Sequence, residues 1–422
     1  MSRYQSKTTE YLKILARDTG SQVITRIFFL GIVVYMTAYA LSTTTRVNYI
    51  ACQAAQSLGI LTFVISGVKF FRVRFESSYL KVIFVAYGVW TLTIISRGNW
   101  TDYVFIKEML FDAFFGIFPY LTPLLLFLPR KLASYKAVFN TIVILGLFYL
   151  FLSILFVKDL TNRDLTNLTS QAIIEYFAKT LSIPSTFLLL TYAYHSGKRR
   201  AFAWMVSLAT LVFAVVRARR GMIIMFTLPI MIAIATQLYS AKTKWLKLLA
   251  TITLLCMGAL YGNTLFTESS FFNSLKERGV ENTRAKVEDC YYADLTTRDW
   301  IIGKGIDGKY FCPGIDPGDY SSYRKTMETD FLHIILKGGL VYLILLMLIL
   351  LPAIWKGLFQ SRNMLSRSAA LWIVLWIFSL YPSNVHTFTF NYILVWIAVG
   401  ICYSPSIRSL PDNVVQAYFR TN

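Results

Sequence analysis

Two groups of residues have types and spacing suited to chemistry. The first is "RARRG", where Arg217, Arg219 and Arg220 crowd into four positions between two apolar runs. A guanidinium fork matches phosphate oxygens in a bidentate way that an ammonium cannot. Gly221 opens the following apolar run. Arg220 should therefore stand beside a helix N-terminus, where free N–H groups and the helix dipole already favour an anion. A diphosphate is the natural guest for such a hairpin. The bland alternative is that long basic side chains at a short outer hairpin simply reach into lipid headgroups. The second group is "METDFLHIILKGGLVYLI", where Glu328 and Asp330 precede an apolar run. A carboxylate at that mouth could take a proton from a hydroxyl, or could merely complement the N-terminus of a helix. The E-x-D spacing could also hold a divalent ion, a weaker reading. Asp112, near the end of another apolar run, is a third carboxylate for the same side.

Other patterns carry less. "GKGIDGK", Gly303 to Lys309, fits G-x-G-x-x-G and most of a P-loop, but Tyr310 stands where the magnesium-binding hydroxyl would be and no buried strand precedes the glycines. His195, His333 and His386 are isolated and fit no metal spacing.

The elements that must position these residues are membrane helices. The chain has 422 residues, 56% of them hydrophobic, with few charges outside short segments, which is beyond the range of a soluble domain. Apolar runs near the length of a span begin at about Gln22, Tyr49, Tyr79, Leu110, Ala137, Gln171, Ala201, Gly221, Trp245, Phe331, Ala369 and Asn391. The expectation is an all-α polytopic membrane protein of about twelve transmembrane helices, with no cleaved leader. Prolines at 119, 123, 184 and 229 should kink the helices that carry them.

Lys/Arg bias orients the spans. With the N-terminus inside, the segments on that side hold 22 basic residues against only Glu10, Asp18, Glu76 and Asp412, while the other side is balanced. That assignment puts Arg217, Arg219 and Arg220 outside, against the rule that the other short outer loops obey. The expected divisions are a cytoplasmic tail (1–21), helices 1 to 9 (22–262), a large outer loop (263–327), helices 10 to 12 (328–404) and a cytoplasmic C-terminal tail (405–422). The outer loop is too long for a connector and should form a cap, helical to about Arg298 and then irregular through "GKGIDGKYFCPGIDPGDY", with Phe272, Leu275 and Val280 as membrane-facing contacts. It contains Cys290 and Cys312, which can pair in an oxidising compartment or stay as free thiols. Cys52, Cys256 and Cys402 fall within apolar runs and read as buried small side chains.

Three pieces, in order, resemble the O-antigen polymerase and ligase superfamily of polyisoprenoid-dependent glycosyltransferases: "RARRG", "RDWIIGKGIDGKYF" and "ETDFLHIILKGGLVYLI". The last is similar to the pattern H-N-x-Y-L-x-L-L-x-E-x-G-L-I-G, with Phe331, Leu332 and Gly339 in register. The likeness covers residues 213–345, and hydropathy alone supports the rest. It implies a GT-C-like fold in a bacterial inner membrane. It also implies transfer of a growing glycan from undecaprenyl diphosphate to the terminal sugar of another lipid-linked repeat unit. By this resemblance Glu328 would be the general base, and Arg217, Arg220 and Arg298 would hold the diphosphate, with Asp112, Asp330 and Arg284 as further candidates. No cofactor or metal is implied. The partners would be lipid-linked donor and acceptor and a chain-length-regulating co-polymerase, not nucleic acid. Glu328 stands where ligase members carry His, which favours a polymerase over a ligase. The competing class is a lipid-linked oligosaccharide flippase or other transporter, which should show repeated halves and charges along the midplane.

Overall fold

The computed structural model describes residues 19–44, 46–162, 167–217, 219–239, 285–314 and 322–421. The ninth apolar run, Arg284, and the expected contacts Phe272, Leu275 and Val280 lie outside these residues.

Ten of the twelve apolar runs coincide with helices; the run from Leu110 is broken, since one helix ends at Phe111 and the next begins at Phe118. Among the described residues the longer helical elements before the cap are α1 (Thr19–Ser42), α2 (Tyr49–Phe70), α3 (Ser78–Ser96), α4 (Tyr103–Phe111), α5 (Phe118–Phe127), α6 (Leu132–Leu155), α7 (Thr169–Leu190), α8 (Gly197–Val216) and α9 (Arg220–Tyr239). The cap contributes α10 (Ala285–Asp294), α11 (Thr297–Ile302) and a two-residue antiparallel ladder of β1 (Tyr310–Phe311) with β2 (Tyr323–Arg324). The chain closes with α12 (Asp330–Phe359), α13 (Met364–Ser379), α14 (Phe390–Tyr403) and α15 (Asp412–Thr421). Among the described residues eight helices are long and apolar enough to cross a membrane, and α5, α13 and α14 are shorter apolar helices.

These helices are apolar on both faces. Val82, Val85, Val89 and Leu92 form an exposed stripe on α3, as do Leu58, Leu61, Val64 and Val68 on α2. Exposed stripes of that kind suit lipid as the surrounding solvent. The inner faces are aromatic: Tyr87 and Tyr342 stack at 5.0 Å and share a 2.7 Å hydroxyl contact between α3 and α12. Aromatic pairs contribute about 0.5–1.5 kcal/mol beyond burial, which matters between helices that lipid tails would otherwise solvate equally well.

The prolines act as their backbone chemistry requires. Pro119 and Pro123 lie in a helical turn followed by a 3-10 segment, so that α5 is tight and short. Pro184 follows a π-helical turn, Ala178–Ser182, in α7. Pro229 sits inside α9.

The cap departs from a single helix running to Arg298. Its chain breaks at Leu295 and Thr296, because Thr296 and Asp299 form a reciprocal capping box that starts a second helix. Cys290 and Cys312 are disulfide-bonded, with Cα atoms 5.3 Å apart. The bridge ties α10 to β1 over a small core of Val287, Tyr291, Tyr310, Met327, Leu332 and Leu336. Burial pushes the Tyr291 phenol above its ordinary pKa, and its hydroxyl donates to the Leu332 carbonyl at 3.1 Å.

The cap is locked to the bundle at a break in α12. Gly339 has φ 69° and ψ −179°, which interrupts the helix and frees carbonyls in the preceding turn. The N–H groups of Lys304 and Gly305 donate to Leu336 O and Lys337 O at 2.7 and 2.9 Å, and Trp90 Nε1 donates to Gly338 O at 2.7 Å. Lys337, itself buried, donates to Gly308 O at 2.8 Å. "GKGIDGK" is thus a backbone plug for a broken helix. Its first glycine, at φ 68°, lets the chain lie where a Cβ would come 2.5 Å from Lys337 O.

Reduction of the disulfide should loosen this cap. Bridges closing loops of this size contribute on the order of 3 kcal/mol. Cys290→Ser should therefore speed amide exchange over residues 285–314 well beyond that in α13 and α14, and unchanged exchange would show that the core holds the cap alone.

Candidate functional site

The arginine hairpin separates into residues with different surroundings. Helix α8 ends at Val216 with Arg217 as its C-cap. The Arg217 side chain is fully buried, with Nη1 donating to Asn162 O and Nη2 to Asn167 O at 3.4 Å. Arg219 Nη2 donates to Gln171 Oε1 at 2.9 Å, and its Nη1 lies 3.7 Å from Glu175 Oε2. Both therefore bracket the N-terminal part of α7. Arg220, the first residue of α9, is exposed. Arg217 and Arg219 thus both meet the start of α7 or the residues just before it, an arrangement that the spacing of "RARRG" does not announce.

Glu175 also pairs with Lys179 at 2.6 Å, and Lys179 is buried with its ammonium 5.4 Å from the Phe114 ring centre. The pair sits in and just before the π-helical turn of α7, the kind of irregularity often found at functional sites. Sequence reasoning passed over both residues. Opposite charges four positions apart inside an otherwise apolar span were the available signal.

The two carboxylates of "METD" point to different places. Glu328 is exposed. Asp330 is buried, and its Oδ2 accepts from the Val385 and His386 N–H groups at 2.7 and 2.5 Å. This splits the E-x-D pair, and among the described residues no group of three or more His, Cys, Asp or Glu side chains could hold a metal ion. Asp112 caps α4 and accepts from Tyr39 Oη at 3.0 Å and from the Phe114 and Phe115 N–H groups at 2.7 and 3.2 Å. His195 is a core residue, 2.9 Å from Thr191 Oγ1 and edge-on to Phe139. His333 and His386 are buried against aromatic rings, Phe115 for the first and Tyr120, Tyr342 and Tyr392 for the second.

A segment absent from the sequence reading joins these parts. Residues 380–389, between α13 and α14, accept the Asp330 N–H at Leu380 O (2.8 Å) and hold Met327 O through Asn384 Nδ2 (2.7 Å). They also donate from Phe388 N–H to Ala113 O, one residue after Asp112, at 2.6 Å. Pro382 abuts the start of α9, since a Cβ built at Gly221 would lie 2.5 Å from the Pro382 oxygen. The start of α9, the start of α12 and the turn after α4 therefore converge on one loop. Arg298 lies on the cap. It is exposed on α11, whose end docks at the α12 break beside Arg97, which donates to Ile302 O at 3.2 Å.

Fold and site together give a mainly helical chain whose described residues include eight helices long and apolar enough to cross a membrane, compatible with an all-α polytopic membrane protein. No protein-family model, no curated protein and no solved structure matches the chain.

The different surroundings of the arginines give a direct expectation. Arg217→Lys should lower the thermal unfolding temperature in detergent, because a buried charge loses one of its carbonyl contacts, a loss of about 1.5–3 kcal/mol. Arg220→Lys, at an exposed position, should lower that temperature less. Equal destabilisation by both would mean that the hairpin acts as one structural unit.

Proposed function

We propose that the chain is a membrane glycosyltransferase that polymerises lipid-linked repeat units at the face carrying the cap. In this reading the donor is a glycan on undecaprenyl diphosphate and the acceptor is the terminal hydroxyl of a second lipid-linked unit. Glu328 takes the hydroxyl proton, the oxygen attacks the anomeric carbon, and the anomeric C–O bond to the diphosphate breaks. Arg220 and the N–H groups that open α9 stabilise the charge left on the departing diphosphate. Arg217 and Arg219 hold the hairpin in place, and Asp330 fixes the loop between the two halves of the site. The observation that carries the reading is the convergence of the arginine-led helix and the carboxylate-led helix on residues 380–389. That convergence supports the reading because it brings the arginine-led helix and the carboxylate-led helix to one loop, and glycosyl transfer from a diphosphate uses a cationic group and a base. A product ladder from purified protein and a synthetic lipid-linked repeat unit would support it; donor that remains intact would sink it.

One observation favours a transporter as a second reading. Asp330, His333 and Lys337 are buried ionisable groups on the helix that breaks at Gly339, and broken helices with internal charges form many transport sites. Yet the carbonyls freed by the break are taken by Lys304, Gly305 and Trp90 of the chain itself, which leaves them engaged. Uptake of a labelled lipid-linked oligosaccharide across proteoliposomes without chain growth would favour transport.

In this proposal the cap faces the non-cytoplasmic side, a reading supported by the charge bias of the connecting segments. Thr297→Cys and Gln360→Cys, both at exposed positions, should then be labelled from opposite sides of sealed vesicles. Labelling from one side would overturn the orientation.

A further inference from the structure

The cap carries an aromatic surface that the catalytic reading does not use, made of Tyr292 and a half-buried Trp300 that also packs against the cap core. Tyr291 points inward, bonded to Leu332 O, while its neighbour Tyr292 is 50% exposed. The Tyr292 and Trp300 rings are parallel, 10° between planes and 6.0 Å between centres, so they form one stepped apolar surface across α10 and α11. Trp300 rests edge-on against Tyr291 at 5.7 Å, and the Cys290–Cys312 bridge is adjacent in the chain. The surface is therefore rigid before any ligand arrives, which lowers the cost of binding.

Charge around this surface separates its possible occupants. In a chain of net charge +20, the stretch Ala285–Ile302 is acidic, with Glu288, Asp289, Asp294 and Asp299 against Lys286 and Arg298. Acidic surroundings disfavour anionic headgroups and the diphosphate itself. They suit an uncharged ligand rich in hydroxyl donors. Among the acidic side chains, Glu288 accepts from Thr329 Oγ1, Asp294 pairs with Lys304 and Asp299 closes the capping box with Thr296. Asp289 is exposed and precedes Tyr292 by three residues, which puts the two on the same helical face.

We propose that Asp289, Tyr292 and Trp300 form a carbohydrate-binding platform on the cap. A pyranose ring lays its C–H face on the electron-rich aromatic faces, and its hydroxyls donate to Asp289. The platform rests on the reading that this end of the protein handles glycans; it would hold a sugar of the chain away from the reacting carbon.

The test uses full-length protein in phosphatidylcholine nanodiscs on a printed array of oligosaccharides, with no lipid-linked donor present. Wild type should be retained on a subset of glycans. Trp300→Ala and Tyr292→Ala should each weaken that retention about fivefold to tenfold, the value of one aromatic contact, and Trp300→Phe should keep most of it. Unchanged thermal unfolding and an intact disulfide in the variants show that the cap stays folded. Retention that survives Trp300→Ala, or no retention on any glycan, overturns the platform. Quenching of Trp300 emission by acyl-brominated lipid, taken as the difference from Trp300→Phe, would assign the face to the membrane instead. Because no donor is present, failure of chain extension alongside Trp300-dependent retention would refute only the catalytic reading.

Discussion

Glu328→Gln should lower chain extension by about 100-fold to 10,000-fold, the usual cost of a lost general base, without moving the thermal unfolding temperature. Glu328 is exposed just ahead of α12, so exchanging its carboxylate for an amide removes proton-accepting ability and little packing. Asp330, two residues on, should behave in the opposite way. Its carboxylate accepts the N–H groups of Val385 and His386 inside the protein, and Asp330→Ala would leave two buried donors unmet at about 1–3 kcal/mol each. The expected pattern is loss of rate with retained stability for Glu328→Gln, and loss of stability for Asp330→Ala. Asp330→Asn keeps an acceptor oxygen and should fall between wild type and Asp330→Ala. Extension rates on a synthetic lipid-linked unit and unfolding in detergent measure both effects. Near wild-type extension by Glu328→Gln would remove it as the base.

Gly339→Ala should be strongly destabilising. Gly339 holds φ 69°, and a Cβ there would stand 2.1 Å from Ile301 O and 2.3 Å from Ile301 C. Backbone strain at a positive φ costs on the order of 1–3 kcal/mol for a side-chain-bearing residue. The clash is with backbone, which cannot rotate away. Relief requires the cap to lift, and lifting it breaks the bonds from Lys304 and Gly305 to Leu336 O and Lys337 O. The expected result is a drop in stability of about 3 kcal/mol or more, together with protease sensitivity between Ala285 and Gly314. A variant with wild-type unfolding and an intact cap would show that the break is not held by this contact.

The class of fold was legible because hydropathy is a sum over many residues. A run of twenty apolar positions usually announces a helix, and most of the described helices begin within a few residues of the expected starts, the run from Leu110 being the exception. The Cys290–Cys312 pairing was open to reading for a similar reason, since these two share one polar loop. Within the site less was legible. "RARRG" marks an unusual hairpin, but nothing in its spacing tells that Arg217 turns inward to the Asn162 and Asn167 carbonyls while Arg220 stays exposed. "ETD" reads as two nearby carboxylates, and the fold places one outside and one in the core.

What the sequence determined by itself, then, is the helical and apolar character of the chain, the uneven charge of its connecting segments, and the few polar positions worth asking about, because each is a property of local composition. Tertiary structure decided the rest. It set the partner of each buried charge, the use of "GKGIDGK" as a plug for the Gly339 break, and the role of residues 380–389 as the meeting point of α9, α12 and the turn after α4. The physical reason is that a buried polar group must find a partner wherever the fold supplies one. For Asp330 that partner lies 55 residues away in the chain, a distance over which local pattern carries no information.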